Sequence, residues 1–130
     1  MGVDDPMPKE PISTAGAPAP GGAYSQAIGA GPLVFLAGQG PFRPDGSKVE
    51  GSFEEQARQT FANLAAVAEA AGGSLADAVR VGVFLRDMAN FGAMDEIYQE
   101  FFPAPLPART TVQSDLPGFE IEVDAILLRG

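Results

Sequence analysis

The sequence predicts an α+β or α/β domain, a single β-sheet with two helices able to cover one of its faces. Two patterns carry that reading. Apolar residues recur at helical spacing over two stretches, and four shorter stretches rich in β-branched and aromatic residues lie between glycine and proline brackets. In chain order the elements read strand, helix, strand, helix, strand, strand. That order lets both helices cover one face of a single sheet.

Each element has a local cause. Residues 1–12 carry Asp4, Asp5 and several prolines with little apolar content, and are expected to form a flexible tail before a single domain at 13–130. Residues 11–22 are rich in Pro, Ala and Gly and should run as an extended arm into Tyr24. Residues 33–37 form a compact apolar run and read as a buried strand. The Asp45-Gly46 pair marks a turn, with a short hairpin expected over 41–50.

Ser52 followed by Glu55 matches a capping box, in which each side chain satisfies an orphan N–H of the helix start. The helix that follows places Ala57, Phe61, Leu64 and Ala68 on one stripe and stops at Gly72-Gly73. The next strand, 79–86, puts Val79, Val81, Val83 and Leu85 on one face. Asn90 is the expected N-cap of a second helix whose apolar set is Phe91, Met94, Tyr98 and Phe101 or Phe102. Pro103, Pro105 and Pro107 end that helix and force an extended approach to Arg109. Strands at 110–113 and 120–128 complete the sheet, the last with Ile121, Val123 and Ala125 on one face.

Two helices cover only one face, yet the strands are apolar on both: Phe35 opposes Leu36, Phe84 opposes Val83, and Ile126 opposes Ala125. A second apolar face calls for a partner, and self-association supplies one.

Composition narrows the chemistry. The chain has 130 residues, 8 basic against 17 acidic, a net charge of -9 and no Cys, His or Trp. Thiolate nucleophiles, Cys-built zinc sites, Ser-His-Asp triads and imidazole ligands are therefore excluded. A pI near 4.2 argues against a nucleic-acid partner, because counterion release needs clustered Lys and Arg. No apolar run reaches the 18 or so residues of a membrane span, and the N-terminus lacks a basic region followed by an apolar one, so a cytoplasmic location is the default expectation. Acid–base work must fall to Asp, Glu, Arg, Tyr, Ser, Thr and the backbone.

Several residues suit such work. Glu122 and Asp124 share one face of the last strand, ahead of apolar Ile126 and Leu128. Either one or both sit at the exposed strand end or pair with Arg80 or Arg86, or one of them serves as a general base. Arg109, at the mouth of a strand, can make a surface ion pair or capture a substrate carboxylate in a bidentate fork. Tyr24 is either a core ring or a pocket wall. Gly38 either serves turn geometry or brings bare backbone to a pocket, whereas Gly29-Ala30-Gly31 is a turn rather than a dinucleotide fingerprint.

Taken together, Tyr24-Ser25-Gln26-Ala27, Ala37-Gly38-Gln39, residues 55–59, residues 83–88, Tyr98 to Phe102, residues 107–112 and Ile121-Glu122-Val123-Asp124-Ala125-Ile126 resemble the Rid family, the RidA/YjgF-like reactive imine/enamine deaminases. The resemblance spans residues 13–128. It implies a chorismate-mutase-like α+β fold, one mixed β-sheet with two helices packed on one face, assembled as a homotrimer with the open sheet faces at subunit interfaces and a pocket at each. It also implies hydrolysis of 2-imino or enamine acids to 2-oxo acids and ammonia, without metal or cofactor. Arg109 would hold the substrate carboxylate, Glu122 would polarise the water, and Tyr24, Gly38 and Thr111 would line the pocket. Four positions depart from the family pattern: Ala23 for Pro, Ala37 for Ser, Thr111 for Cys or Ser, and Asp95 for Asn. If Asp95 borders the pocket, it adds negative charge beside a site meant for an anion. A non-catalytic trimeric module that binds a small carboxylate is the alternative.

Overall fold

A computed structural model describes residues 8–129. The tail expected over residues 1–12 lies outside the described residues at positions 1–7. Its last three residues are ordered: Glu10–Ile12 form β1 and pair antiparallel with β2, Ala27–Ala30. Ile12 is buried there, and a single inward apolar side chain was too little sequence signal to mark the strand. β2 continues through a two-residue turn into β3, Leu33–Gln39, with Gly31 at φ 61°, a conformation costly for any residue with a Cβ.

The sheet has six strands in the order β1-β2-β3-β6-β4-β5, where β4 is Ala78–Leu85, β5 is Ala108–Gln113 and β6 is Ile121–Leu128. All pairings are antiparallel except β4 with β5. The sheet is thus mixed, as expected. The hairpin expected over 41–50 is reduced to one bridge between Phe42 and Lys48.

Helix α1, Phe53–Ala70, starts on the Ser52–Glu55 capping box and ends before Gly72 at φ 85°. It lies on β3 and β6 and packs against α2, Phe91–Phe101. Ala57, Phe61, Leu64 and Ala68 are all fully buried against Val34, Val81, Val83 and Val123. The rings of Tyr98, Phe101 and Phe102 close around Phe61 at centroid distances of 5.9, 5.3 and 5.9 Å.

Three local expectations are corrected. Val79 is exposed, because a register shift between Ala78 and Arg80 turns it outward and puts Ala78 in the core. Asn90 stands at the N-cap position of α2 but its side chain makes no capping bond; Asp87 caps the short 3₁₀ turn at 88–90 instead. Phe91 is exposed, and Ile97 takes its place in the core beside Met94 and Tyr98.

The second sheet face is left open. Phe35, Val112 and Leu128 are exposed on it, with Ile28, Phe84 and Ile126 half-buried between them.

Candidate functional site

The predicted site residues fall into two groups on opposite faces of the sheet. The first gathers around Glu122. β3 carries a bulge against β6: Leu36 pairs with Ala125 and Gln39 with Val123, so Ala37 and Gly38 together face one residue. The bulge aims Gly38 at Glu122, so closely that a Cβ at position 38 would stand 2.7 Å from Oε2 and 3.0 Å from Cδ. Glu122 contacts bare backbone there. Tyr24, Gln39, Phe42 and Phe119 complete a cleft of about 340 Å³ around this pair. Ala37, next to Gly38, donates its backbone N–H to the Gln26 carbonyl and is not part of the wall.

The arm that roofs the cleft is fastened by Gln26, a residue sequence reasoning did not single out. Its buried side chain accepts from the Thr14 N–H at 2.6 Å and donates to the carbonyls of Thr14, Ala17 and Pro18 at 3.1, 3.4 and 2.8 Å. Only the residue's position after Tyr24-Ser25 hinted at this, since a buried amide announces itself by its partners rather than by periodicity. Tyr24 itself is exposed, and its hydroxyl accepts from the Gly21 N–H at 3.1 Å.

Glu122 has no cation beside it among the described residues. Burial pushes its carboxyl above the ordinary carboxylate value, and the neighbouring Asp124 charge pushes in the same direction. Asp124 is also raised, again chiefly by burial, against the opposing pull of the Gly82 N–H it accepts at 3.1 Å and of Arg80. The expected pairing of these carboxylates with Arg86 does not form; Arg86 contacts Glu120 at 3.4 Å.

The second group surrounds Arg109. In the β4–β5 register Arg109 sits beside Val81 and Thr111 beside Val83, which places both on the helix-covered face, whereas Glu122 sits beside Phe84 on the open face. Arg109 lies along the α2 stripe of Phe91, Asp95 and Tyr98. Its Nη1 donates to Asp95 Oδ1 at 2.7 Å, and its guanidinium carbon is 4.6 Å from the Tyr98 ring centre and 5.4 Å from that of Phe91. Asp95, Tyr98, Leu106, Pro107 and Arg109 line a second cleft of about 300 Å³. Tyr98 Oη and Thr111 Oγ1 are both buried without a hydrogen-bond partner. Burial holds the Tyr98 hydroxyl above its ordinary value.

One chain therefore joins Tyr24, Gly38 and Glu122 in one cleft, and Asp95 and Arg109 in another, with Thr111 next to Arg109 on its face. It does not bring Arg109 to Glu122. Among the described residues no three His, Cys, Asp or Glu side chains converge to hold a metal ion, and no helix is long and apolar enough to cross a membrane.

A six-stranded mixed sheet with two helices on one face, a half-buried carboxylate in one cleft and a ring-flanked arginine in another, defines a class of small α+β proteins. Comparison with known proteins narrows that class. A family model described as endoribonuclease L-PSP matches residues 14–128, and the chain belongs to that family, the RidA/YjgF proteins. It is 45% identical over 111 residues to protein mmf2, mitochondrial, of Schizosaccharomyces pombe, covering 82% of this chain and 87% of that one. It is 40% identical over 124 residues to a 2-iminobutanoate/2-iminopropanoate deaminase of Dermatophagoides farinae, covering 93% and 97%. Among solved structures, RidA from a Psychrobacter species superposes with a TM-score of 0.86 at 40% identity, over 92% of this chain and 98% of that one. The expected family and the expected mixed sheet with two helices on one face are both borne out.

Proposed function

We propose that the protein hydrolyses 2-imino and enamine acids to 2-oxo acids and ammonia, as a homotrimer whose sites are shared between protomers. One observation carries the reading: Arg109 and Glu122 lie on opposite faces of the same sheet, so a small ligand touches both only where two chains meet. The open face offers the means, since exposed Phe35, Val112 and Leu128 need cover. The deaminase name of the Dermatophagoides relative supports the chemistry. The cytoplasm is the compartment assumed, although the Schizosaccharomyces relative is named mitochondrial.

In this reading Arg109 of one protomer binds the substrate carboxylate through its free donors, and Glu122 of the next holds a water against C2. The water oxygen bonds to C2 as the C=N π pair moves onto nitrogen, and Glu122 takes the water's proton. The resulting carbinolamine collapses when that proton passes to nitrogen. The C–N bond breaks, the O–H proton is released, and a 2-oxo acid and ammonium are left. A carboxyl raised by burial suits both halves of that exchange, and such a group contributes about 10²–10⁴-fold. RNA cleavage is not assigned: a chain of net charge -9 without His has neither the cationic track nor the imidazole pair for it.

The test is suppression of semicarbazone formation from imines generated in situ by an amino-acid oxidase. Wild type should suppress it, and Arg109→Ala and Glu122→Gln should each fail while keeping the oligomer. Co-refolding the two inactive variants is decisive, because random mixing recreates about a quarter of the shared sites in full. Recovered activity supports the shared site, and none from a well-mixed trimer overturns it. Saturable carboxylate binding without turnover would establish the binding-module alternative.

A further inference from the structure

We propose that Gln26 is the positioning residue of the Glu122 cleft: its side-chain amide is the clasp that holds the arm, residues 14–24, in place as one wall of that cleft. The effect on turnover rests on the proposed role of Glu122, whereas the fastening of the arm does not.

The arm supplies Pro18, Ala19, Gly21 and Tyr24 to the cleft, yet it has little support of its own. Residues 14–24 belong to no strand or helix, and Ala17 is the one buried side chain among them. A single methyl buries too little apolar area to order such a segment. The bonds from the Gly16 N–H to Thr14 Oγ1, the Gly21 N–H to Tyr24 Oη and the Tyr24 N–H to the Gly22 carbonyl stay within the arm. Among the described residues, every hydrogen bond from the arm to the rest of the chain ends on the Gln26 side chain.

That side chain is 3% exposed and fully used. Oε1 accepts the Thr14 N–H at 2.6 Å. The two Nε2 hydrogens serve the carbonyls of Thr14 at 3.1 Å and Pro18 at 2.8 Å, with that of Ala17 further off at 3.4 Å. Carbonyls at one end and an N–H at the other fix which end is oxygen, and only an amide offers both. The main chain of Gln26 is tied separately: its carbonyl accepts the Ala37 N–H at 2.9 Å, beside the bulge that presents Gly38 to Glu122. One residue thus registers the arm against the bulge. The wall at Gly40 and Phe42 has its own fastening, Asn63 Nδ2 on their carbonyls at 3.1 and 2.6 Å. Releasing Gln26 therefore frees the arm and leaves that wall, Gly38 and Glu122 in place. A substrate then loses contact area but keeps its reacting groups, so binding weakens while the chemical step survives.

Two variants test this. Gln26→Met keeps the volume and loses every bond, and Gln26→Glu keeps an acceptor for the Thr14 N–H but sets a carboxylate oxygen against the carbonyls. Hydrogen–deuterium exchange of the intact oligomer, read by mass spectrometry, reports the arm, and imine turnover on the same preparations gives KM and kcat. Both variants should exchange residues 14–24 at least about tenfold faster than wild type, Gln26→Glu the more so, with α1, β3 and residues 40–42 unchanged. KM should rise about tenfold in each, with kcat within about twofold of wild type. Unchanged exchange of the arm in both variants overturns the clasp. Loss of protection throughout α1 and β3 overturns it too, since Gln26 would then hold the core rather than the arm. A released arm with an unchanged KM, in a protein that turns over imines, overturns the positioning role and leaves the deaminase reading standing. A released arm in a protein whose wild type turns over no imine supports the clasp and refutes the deaminase reading.

Discussion

Replacing Gly38 by Ala separates catalysis from stability. Gly38 has no positive φ, so Ala fits its backbone without strain. The difficulty is contact: the new methyl would meet Glu122 Oε2 at 2.7 Å, Cδ at 3.0 Å and Cγ at 3.2 Å. The carboxylate must retreat by about 0.7 Å to regain ordinary van der Waals distance from carbon. Overpacking typically costs about 1–3 kcal/mol, at the low end here because the offending atoms end a flexible side chain facing a cleft. The reduced freedom of the unfolded chain returns about 0.4–1 kcal/mol, so the net loss should stay below about 1 kcal/mol, or roughly 5 °C in Tm. A general base moved by most of an ångström loses far more, about 10²-fold in kcat/KM. Thermal unfolding and imine turnover, measured on the same preparation, give the two numbers. Unchanged turnover at an unchanged Tm would refute the placement of Glu122 as the base. A large fall in Tm with a proportionate loss of activity would show that Gly38 serves only packing.

Glu122→Gln should stabilise the fold at pH 7 and not at pH 4. The wild-type carboxyl binds its proton more tightly when folded than unfolded, so its favourable contribution is complete below the unfolded value near 4.5 and fades as pH rises through the raised folded one. Urea melts at the two pH values check this, and an equal effect at both would refute a desolvated carboxylate. Phe61→Ala, at the point where three aromatic rings meet α1, should cost about 3–5 kcal/mol in urea unfolding, and a loss below about 1.5 kcal/mol would mean the cavity collapses. Phe35→Glu, 43% exposed at the middle of the open face, should leave the far-ultraviolet circular dichroism unchanged while sedimentation shows the assembly dissociating; an intact oligomer would place the interface elsewhere.

The sequence was most legible where one local rule acted alone. The α1 capping box, its buried stripe and the glycine stop all stand where periodicity and cap chemistry put them. It was least legible where a long-range partner decided. β1 and β2 are short, and their pairing rests on β3, so neither has an apolar run of its own to show. Val79 counts as inward by alternation until the β4 bulge breaks the period, and no residue at 78–80 announces a bulge. Phe91 fits the helical stripe, but its position at the first turn of α2 puts it beside Arg109 rather than in the core, and Ile97 fills the space a turn and a half later.

The site was legible residue by residue but not as an arrangement. Alternation places Glu122 and Asp124 on one face of β6, but the face taken by Arg109 depends on the parallel register of β5 against β4, set across the whole of α2. That register has a chemical consequence. Were Arg109 on the open face, shifted by one residue to the register of Gly82, it would stand across β4 from Asp124, a cation inside the chain that pulls the carboxyls of that face down. With the sheet between them, Glu122 stays desolvated without a counter-cation and keeps its proton affinity, while Arg109 takes Asp95 as its standing partner. In the proposed assembly the arginine reaches Glu122 only from a neighbour, and with a substrate carboxylate between them. The cation is then directed at the ligand and the base at the water, a division of roles that a single chain of this fold has no way to hold.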